Sequence, residues 1–220
     1  MPDVDLIFVD DGSSDGTAAR LEALRDHAKD RIAVERLSEN RGKGEAVRAG
    51  VLAALARDPA YVGYWDADLS TPLETALRFR DRLEADPELA VVYGARVALL
   101  GRRIERHAWR HYVGRVFATA VSLLLRLPIY DTQCGAKLFR AGPELAELFS
   151  APFLSRWIFD VELVDRLART RARSGRGVVG ALYEYPVEVW CDVPGSKVGI
   201  RGYLRSALDL ARLARGRRGG

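Results

Sequence analysis

Two acidic turns carry the most chemistry per residue in this chain: Asp10-Asp11-Gly12 and Asp66-Ala67-Asp68. Each follows a short apolar run, Leu6-Ile7-Phe8-Val9 and Tyr61 to Trp65, of the kind that forms a buried strand and stops abruptly at its carboxyl end. Ligands of open α/β sheets bind outside the carboxyl ends of the strands, so these four carboxylates are expected in one crevice. Carboxylates crowded there repel one another unless a cation lies between them. An Asp-x-Asp turn presents hard oxygens suited to Mg²⁺ or Mn²⁺, ions that usually hold phosphate oxygens as well. The plainer reading of Asp66 and Asp68, as caps of the helix that follows, stays open. Between the acidic turns lies Asn40-Arg41-Gly42-Lys43-Gly44, two glycines and two cations ahead of a helix. That arrangement suits phosphate at a helix N-terminus. It lacks the GxxxxGK[ST] spacing of a P-loop, and a plain flexible turn explains it as well.

The elements that must position these residues follow from periodicity. After the first strand, Ser13, Ser14 and Asp15 are capping residues for a helix whose stripe is Leu21, Leu24 and Ala28. A strand over 32–37, a helix over 44–57 and a strand over 61–65 follow, an alternation that gives a parallel α/β sheet. Thr71 and Glu74 form a capping-box pattern with Pro72 at the first helical position, so a helix is predicted to begin there. Val91 to Gly94 reads as a fourth strand and 102–127 as a long helix. Residues 131–139 read as a loop entering a strand, 159–172 as a helix, 178–189 as a strand and 200–213 as an amphipathic helix. No internal repeat or interdomain linker interrupts the pattern. Residues 1–213 form one domain, and the Arg-Gly-rich end, 214–220, is expected as a disordered basic tail.

Composition narrows the classes. The chain has 220 residues, 48% hydrophobic and 29% charged, enough to bury a core without disulfide or structural metal. Cys134 and Cys191 are single and far apart, which excludes CxxC-type zinc or redox motifs. The longest charge-free apolar stretch, Val116–Leu125, has ten residues where a membrane-spanning helix needs about 20. The opening MPDVDLIF has neither the basic start nor the apolar core of a signal peptide. Net charge is +4, but residues 96–126 hold seven Arg against one acid and residues 197–220 seven Lys or Arg against one acid. Two basic segments on an otherwise acidic body suggest a surface for anions, whether lipid headgroups, nucleic acid or phosphorylated substrates. Solvated helix faces explain the same segments equally well. No nucleic-acid-binding motif is present, so nucleic acid is not expected as a partner.

In combination these motifs are far more specific than singly. Asp10 to Thr17, Asn40 to Gly44, Asp66 to Pro72 and Gly94-Ala95-Arg96 come in the order and spacing of family 2 glycosyltransferases with the GT-A fold. Asp131-Thr132-Gln133-Cys134-Gly135-Ala136-Lys137, Arg156 to Leu163 and Gly195-Ser196-Lys197 closely resemble the dolichyl-phosphate β-glucosyltransferase branch and its bacterial polyprenyl-phosphate relatives. The resemblance covers about residues 4 to 210. It implies a Rossmann-like, mostly parallel sheet flanked by helices, and inverting transfer of glucose from UDP-glucose to a polyprenyl phosphate. Another nucleotide sugar such as GDP-mannose, a different lipid or glycan acceptor, or a non-catalytic module of the same fold are the alternatives.

Residue by residue, the resemblance places Asp11, with Asp10 beside it, on the nucleotide base or ribose. Lys43 falls with the donor-binding residues. Asp66 and Asp68 form the metal-binding pair for Mg²⁺ or Mn²⁺. Ser70 stands where mannose-transferring relatives carry a Gln that also reaches the metal, so that contact is not implied here. Arg96 and Lys197, with Ser196, fall on the diphosphate or acceptor phosphate, and Asp160, Glu162 or Asp131 on the position of a catalytic base. A phosphate monoester, with a second pKa near 6, is already mostly a dianion at neutral pH and needs no base. Asp160 and Glu162 then serve equally well to position Lys137 or Arg156. A lipid acceptor also gives the segment from Arg102, Arg103, Arg106, Arg110 and Arg115 into Val116–Leu125 a role as an interfacial helix, placing the protein peripherally at the cytoplasmic membrane face. Family members ordinarily carry a strand about 35 residues before the DDGS motif. Only nine residues precede Asp10 here, so the sheet is expected to have an unpaired position where that strand would lie.

Overall fold

The computed structural model describes residues 4–105, 108–191 and 200–218. β1 (Leu6–Asp10), α1 (Thr17–His27) and β2 (Ile32–Arg36) make a βαβ unit in which Leu6 to Asp10 pair in parallel with Ile32 to Arg36. α2 (Lys43–Leu55) crosses to β3 (Tyr61–Trp65), and α3 (Thr75–Ala85) leads to β4 (Val91–Ala95). The chain continues through β5 (Arg103–Glu105), α4 (Ala108–Leu125), β6 (Ala136–Arg140), α5 (Pro143–Ser150) and α6 (Phe159–Arg173). β7 (Leu182–Pro186), β8 (Val189–Cys191) and α7 (Ile200–Arg218) complete it.

The central sheet has the order β3-β6-β4-β7. β4 and β7 run parallel, whereas β6 enters antiparallel between β3 and β4. β5 and β8 add a small parallel pair. The expected mostly parallel α/β fold is thus present, with β6 as the antiparallel strand of the central sheet. All five residues of β4 are buried. Its alternation divides the core, with Val91 and Tyr93 facing a cluster built on α5 and α6, and Val92 facing Phe79, Leu83, Leu138 and Trp190 on the other side.

The βαβ unit is differently built. Only Asp10 of β1 is buried and α1 buries no residue, so its predicted Leu21 and Leu24 stripe stays partly exposed. β1 and β3 both pack on α2, yet among the described residues no ladder joins them.

Several local expectations are corrected. α1 starts after Gly16 in left-handed conformation without a side-chain cap, since Asp15 instead binds the Thr17 amide and hydroxyl. The Thr71–Glu74 capping box is not formed. Residues 72–77 open with i to i+3 backbone bonds, α3 begins at Thr75, and the buried Thr71 hydroxyl faces the Cys134 sulfur at 3.8 Å. The stretch read as one helix over 102–127 begins with β5, whose extended backbone pairs with β8. The strand read over 178–189 is a short 3₁₀ turn, Val179–Ala181, followed by β7 and the start of β8. Residues 214–218, expected in a tail, continue α7, where Leu213 is buried and Arg217 lies 3.2 Å from Asp165.

Candidate active site

Six charged residues from five separate motifs meet near the ends of β3, β4 and β6, and they meet as three pairs. The first joins the acidic turn to the glycine-rich one. Asp66 leaves β3 with its amide bonded to the Gly135 carbonyl at 2.8 Å, and its carboxylate accepts from Lys43 Nζ, at the first residue of α2, at 2.6 Å. The carboxylate lies directly over Gly135, where a Cβ would come within 1.9 Å of Oδ2. Only glycine leaves room. Burial pulls the Lys43 ammonium down, but Asp66, helped by Asp160, outweighs it and holds the pKa above the ordinary lysine value. Asp68 is exposed and accepts only from its own turn, from the Ser70 amide at 2.9 Å and hydroxyl at 2.8 Å.

The second pair is Arg96 with Asp131. Arg96 follows β4 and grips Asp131 through Nε at 2.7 Å and Nη2 at 2.8 Å, while its amide donates to the same carboxylate. Burial opposes the guanidinium charge, and the adjacent Asp131 more than restores it, so Arg96 stays protonated. Glu184 of β7 accepts the Asp131 amide at 2.7 Å and the Tyr130 amide at 2.8 Å, fixing the loop that carries Asp131. Burial pushes the Glu184 carboxyl up.

The third pair is the most deeply placed. Lys137 on β6 is fully buried, with Nζ 2.6 Å from Asp160 and donating to the Cys134 carbonyl at 2.7 Å. Its ammonium lies over the rings of Tyr64 and Tyr93, 5.2 and 4.9 Å from their centroids. The Tyr64 hydroxyl donates to Asp160, and burial together with Asp160 keeps that phenol well above its ordinary pKa. Glu162, two residues along the same helix, is also tied down, pairing with Arg166 at 2.7 Å and accepting the Leu154 amide. Of the two side chains that Asp160 was read as able to position, Lys137 is the one it touches. Arg156 binds instead the carbonyls of Asn40 and Arg41.

The β1 end of the crevice is organised around Asp11. Its carboxylate takes the amides of Arg41 at 2.7 Å and Gly42 at 2.8 Å, the backbone donors that the glycine-rich segment was read as offering to phosphate. Gly12, at φ +68°, brings the turn so close to Glu39 and Asn40 that a Cβ would meet their backbone at 2.6 Å. Asp10 is buried, accepting the Ser13 amide at 3.0 Å. Bonds from the Ser13 hydroxyl and amide hold its carboxyl below the usual range. Its Oδ2 lies 3.5 Å from Arg36 Nε. A cleft of about 440 Å³ opens beside it, lined by Gly12, Ser13, Arg36, Leu37 and Ser38. Ser196 and Lys197 lie outside the described residues.

Sequence reasoning missed Tyr64, Tyr93, Glu184 and the structural use of Arg156. Tyr64 and Glu184 sit at inward positions of strands among apolar neighbours, a polar exception to the alternation that is the one signal available for them. Among the described residues no three metal-ligating side chains converge. Asp66 and Asp68 offer two hard carboxylates, both partly open to solvent. They fit an octahedral ion such as Mg²⁺ or Mn²⁺ whose other ligands are phosphate oxygens and water.

Residues 1–144 match the model of glycosyl transferase family 2. The chain belongs to that family. Among curated relatives of this family member, it is 32% identical over 217 residues to a dolichyl-phosphate beta-glucosyltransferase of Trichomonas vaginalis, covering 96% of this chain and 59% of the relative. It is 36% identical over 168 residues to the Drosophila melanogaster enzyme of that name, covering 73% and 50%. For the Mus musculus enzyme the values are 35% over 217 residues, 94% and 62%. The chain thus spans half to three fifths of the length of these relatives. Glucosyl-3-phosphoglycerate synthase of Mycobacterium tuberculosis, solved with Mn²⁺, UDP-glucose and phosphoglyceric acid, superposes with a TM-score of 0.62 at 20% identity, over 96% of this chain and 68% of that one. A mannosyltransferase of Pyrobaculum calidifontis, solved with GDP-mannose and Mn²⁺, gives 0.53 at 18%, over 98% and 55%. The fold of this family member is accordingly GT-A-like.

Proposed function

We propose that this chain carries the donor and transfer site of a glucosyltransferase that moves glucose from UDP-glucose to a polyprenyl phosphate. The observation that carries the reading is the pairing of every motif carboxylate that could serve as a base. Asp131 is held by Arg96, Asp160 by Lys137 and Tyr64, and Glu162 by Arg166. A sugar hydroxyl acceptor would need one of them free. A phosphate monoester brings its own charged oxygen. In the proposed reaction that oxygen bonds to the anomeric carbon as the bond to the β-phosphate oxygen of UDP breaks, with inversion at carbon.

Asp66 and Asp68 would hold the divalent ion, which when bound neutralises charge on the departing diphosphate. Arg96, oriented in advance by Asp131, stands beside them as a fixed cation for phosphate oxygens, and Lys43, paired with Asp66, is a second cation within reach. The cleft beside Asp10 and Asp11 suits the nucleoside. The curated relatives named above are dolichyl-phosphate glucosyltransferases, which supports both the sugar and the lipid acceptor.

Peripheral membrane contact belongs to the same proposal. No helix among the described residues is long and apolar enough to cross a membrane. α4 buries Val121 and Leu125 in the core while exposing Tyr112, Val116 and Leu123, and Leu100 projects fully into solvent nearby in sequence. The basic fringe is thinner than the sequence suggests. Arg115 turns inward to the Tyr130 carbonyl and stacks on its ring, Arg102 pairs with Glu188 and Arg103 with Glu105, and Arg106 and the side chain of Arg110 lie outside the described residues.

Calorimetric titration of UDP-glucose with Mn²⁺, repeated in EDTA and with Asp68→Asn, tests the donor site, with GDP-mannose as competitor. Metal-dependent UDP-glucose binding that is lost in the variant is the expected result; preference for GDP-mannose, or no binding by a folded chain, overturns it. Transfer of labelled glucose to polyprenyl phosphate in mixed micelles tests the acceptor.

A further inference from the structure

The Lys43 ammonium already sits on a carboxylate that a divalent ion would need. It is 2.6 Å from Asp66 Oδ1, so one of the two acidic-turn carboxylates already has a cation. Of the two partners, Asp66 is the one that cannot retreat. Its amide is bonded to Gly135, and its carboxylate rests against the Gly135 Cα, where not even a methyl group would fit. Lys43 reaches it on a flexible four-carbon stem from the start of α2, with 29% of the side chain exposed.

The surroundings add a constraint of charge. Lys43, Arg96 and Lys137 face Asp66, Asp131 and Asp160 one for one. Arg96 lies close enough to Lys43 and Asp66 to act on both charges. A divalent ion alone would add two positive charges beside these three pairs, with Asp68 the remaining carboxylate of the turn, and would have to displace Lys43 from Asp66 without bringing an anion of its own. A diphosphate supplies that anion.

We propose that Lys43 is the resident counter-ion of Asp66 in the unliganded protein, and that it gives up this carboxylate only when a nucleoside diphosphate offers it phosphate oxygens instead. Metal and nucleotide binding are thereby made interdependent. Lys43 then has two roles of opposite sign, opposing metal alone and favouring metal with nucleotide. The inference rests on the donor-site reading above and concerns how that site fills.

The test is Mn²⁺ binding followed by electron paramagnetic resonance of the free ion, with and without UDP, in the whole 220-residue chain, its Lys43→Met and Lys43→Arg variants, and Asp66→Asn. Circular dichroism checks that each is folded. In the parent chain UDP should raise Mn²⁺ affinity strongly. Lys43→Met should bind Mn²⁺ alone at least about tenfold more tightly, a lower bound set by a unit charge acting on a divalent ion about 4 Å away in a water-like dielectric, while UDP adds less than before. Lys43→Arg keeps the charge and should retain weak binding of the metal alone. Asp66→Asn should weaken Mn²⁺ in every background. Unchanged or weaker binding of Mn²⁺ alone in Lys43→Met, with UDP still promoting it in the parent, would overturn the counter-ion role and leave the donor site standing. Tighter Mn²⁺ in Lys43→Met with no effect of UDP in any protein would uphold the counter-ion and refute both the exchange and the donor-site reading.

Discussion

Removing one member of the Lys137–Asp160 pair should cost far more than removing both. Lys137 has no solvent exposure and Asp160 is 3% exposed. Lys137→Met would leave the Asp160 carboxylate buried with the Tyr64 hydroxyl as its remaining partner. Stranding one charge of a buried pair costs about 3–5 kcal/mol, and a domain of this size loses roughly 2–4 °C of melting temperature per kcal/mol. The single variants Lys137→Met and Asp160→Asn should therefore melt on the order of 10 °C lower. The double variant retains the volume and the Tyr64 contact without either charge, and should recover most of the loss. Urea and thermal unfolding of the four proteins closes a double-mutant cycle, for which a coupling of at least about 2 kcal/mol is expected, in the upper part of the range for groups in contact. Additive losses, or an Asp160→Asn protein as stable as its parent, would refute the buried pair. The second outcome, with transfer abolished and UDP binding intact, would return Asp160 to the role of catalytic base.

Three further outcomes follow from the geometry. Gly135→Ala should displace the Asp66 carboxylate, since the added Cβ would lie 1.9 Å from it; loss of metal-dependent UDP binding with a stability cost of about 1–3 kcal/mol, read by calorimetry and melting, is expected. Glu184 has its folded pKa raised, chiefly by burial. The native state therefore binds more protons than the unfolded chain just above the ordinary carboxylate pKa, and this contribution to stability is present below that pKa and lost as pH rises through the folded value. Glu184→Gln should thus gain stability relative to the parent as pH is raised from 4 towards neutrality in urea titrations, and a constant difference would refute the shift. Cys134 is buried with its thiol pushed up by burial, whereas Cys191 is partly exposed. Iodoacetamide followed by mass spectrometry should modify Cys191 first and Cys134 only after unfolding.

The fold was legible where periodicity and punctuation agree. β1, β2, α2, β3, β4 and α6 lie within a few residues of where apolar runs and turn residues put them. β5, α5 and β8 were not read, because three-residue strands and an eight-residue helix leave too little pattern to detect, and β5 and β8 owe their extended form to pairing with each other. The Thr71–Glu74 signature failed for a tertiary reason, the burial of Thr71 against Cys134. At the site, the residue types were readable in Asp66, Lys43, Arg96, Asp131 and Asp160, but their partners were not. Which cation faces which carboxylate depends on β6 entering antiparallel between β3 and β4, and no local signal in Ala136–Arg140 records that. Asp11 illustrates the same limit: its position at a strand end was evident, while its closure onto the Arg41 and Gly42 amides required the loop beyond β2 to fold back.

Among the described residues no ladder joins the unit of β1, α1 and β2 to the central sheet, and the two units are unequally buried. β4 is buried along its whole length, whereas β1, α1 and β2 together bury one residue and reach the rest of the protein through α2 and the Arg156 bridge to Asn40 and Arg41. Amide hydrogens of the first unit should exchange through local opening well before those of the central sheet. Since the cleft proposed for the nucleoside lies on the first unit and the Asp66 turn on the second, a ligand spanning both would act as a clasp. Its binding would be read most sensitively as slowed exchange in residues 6–36.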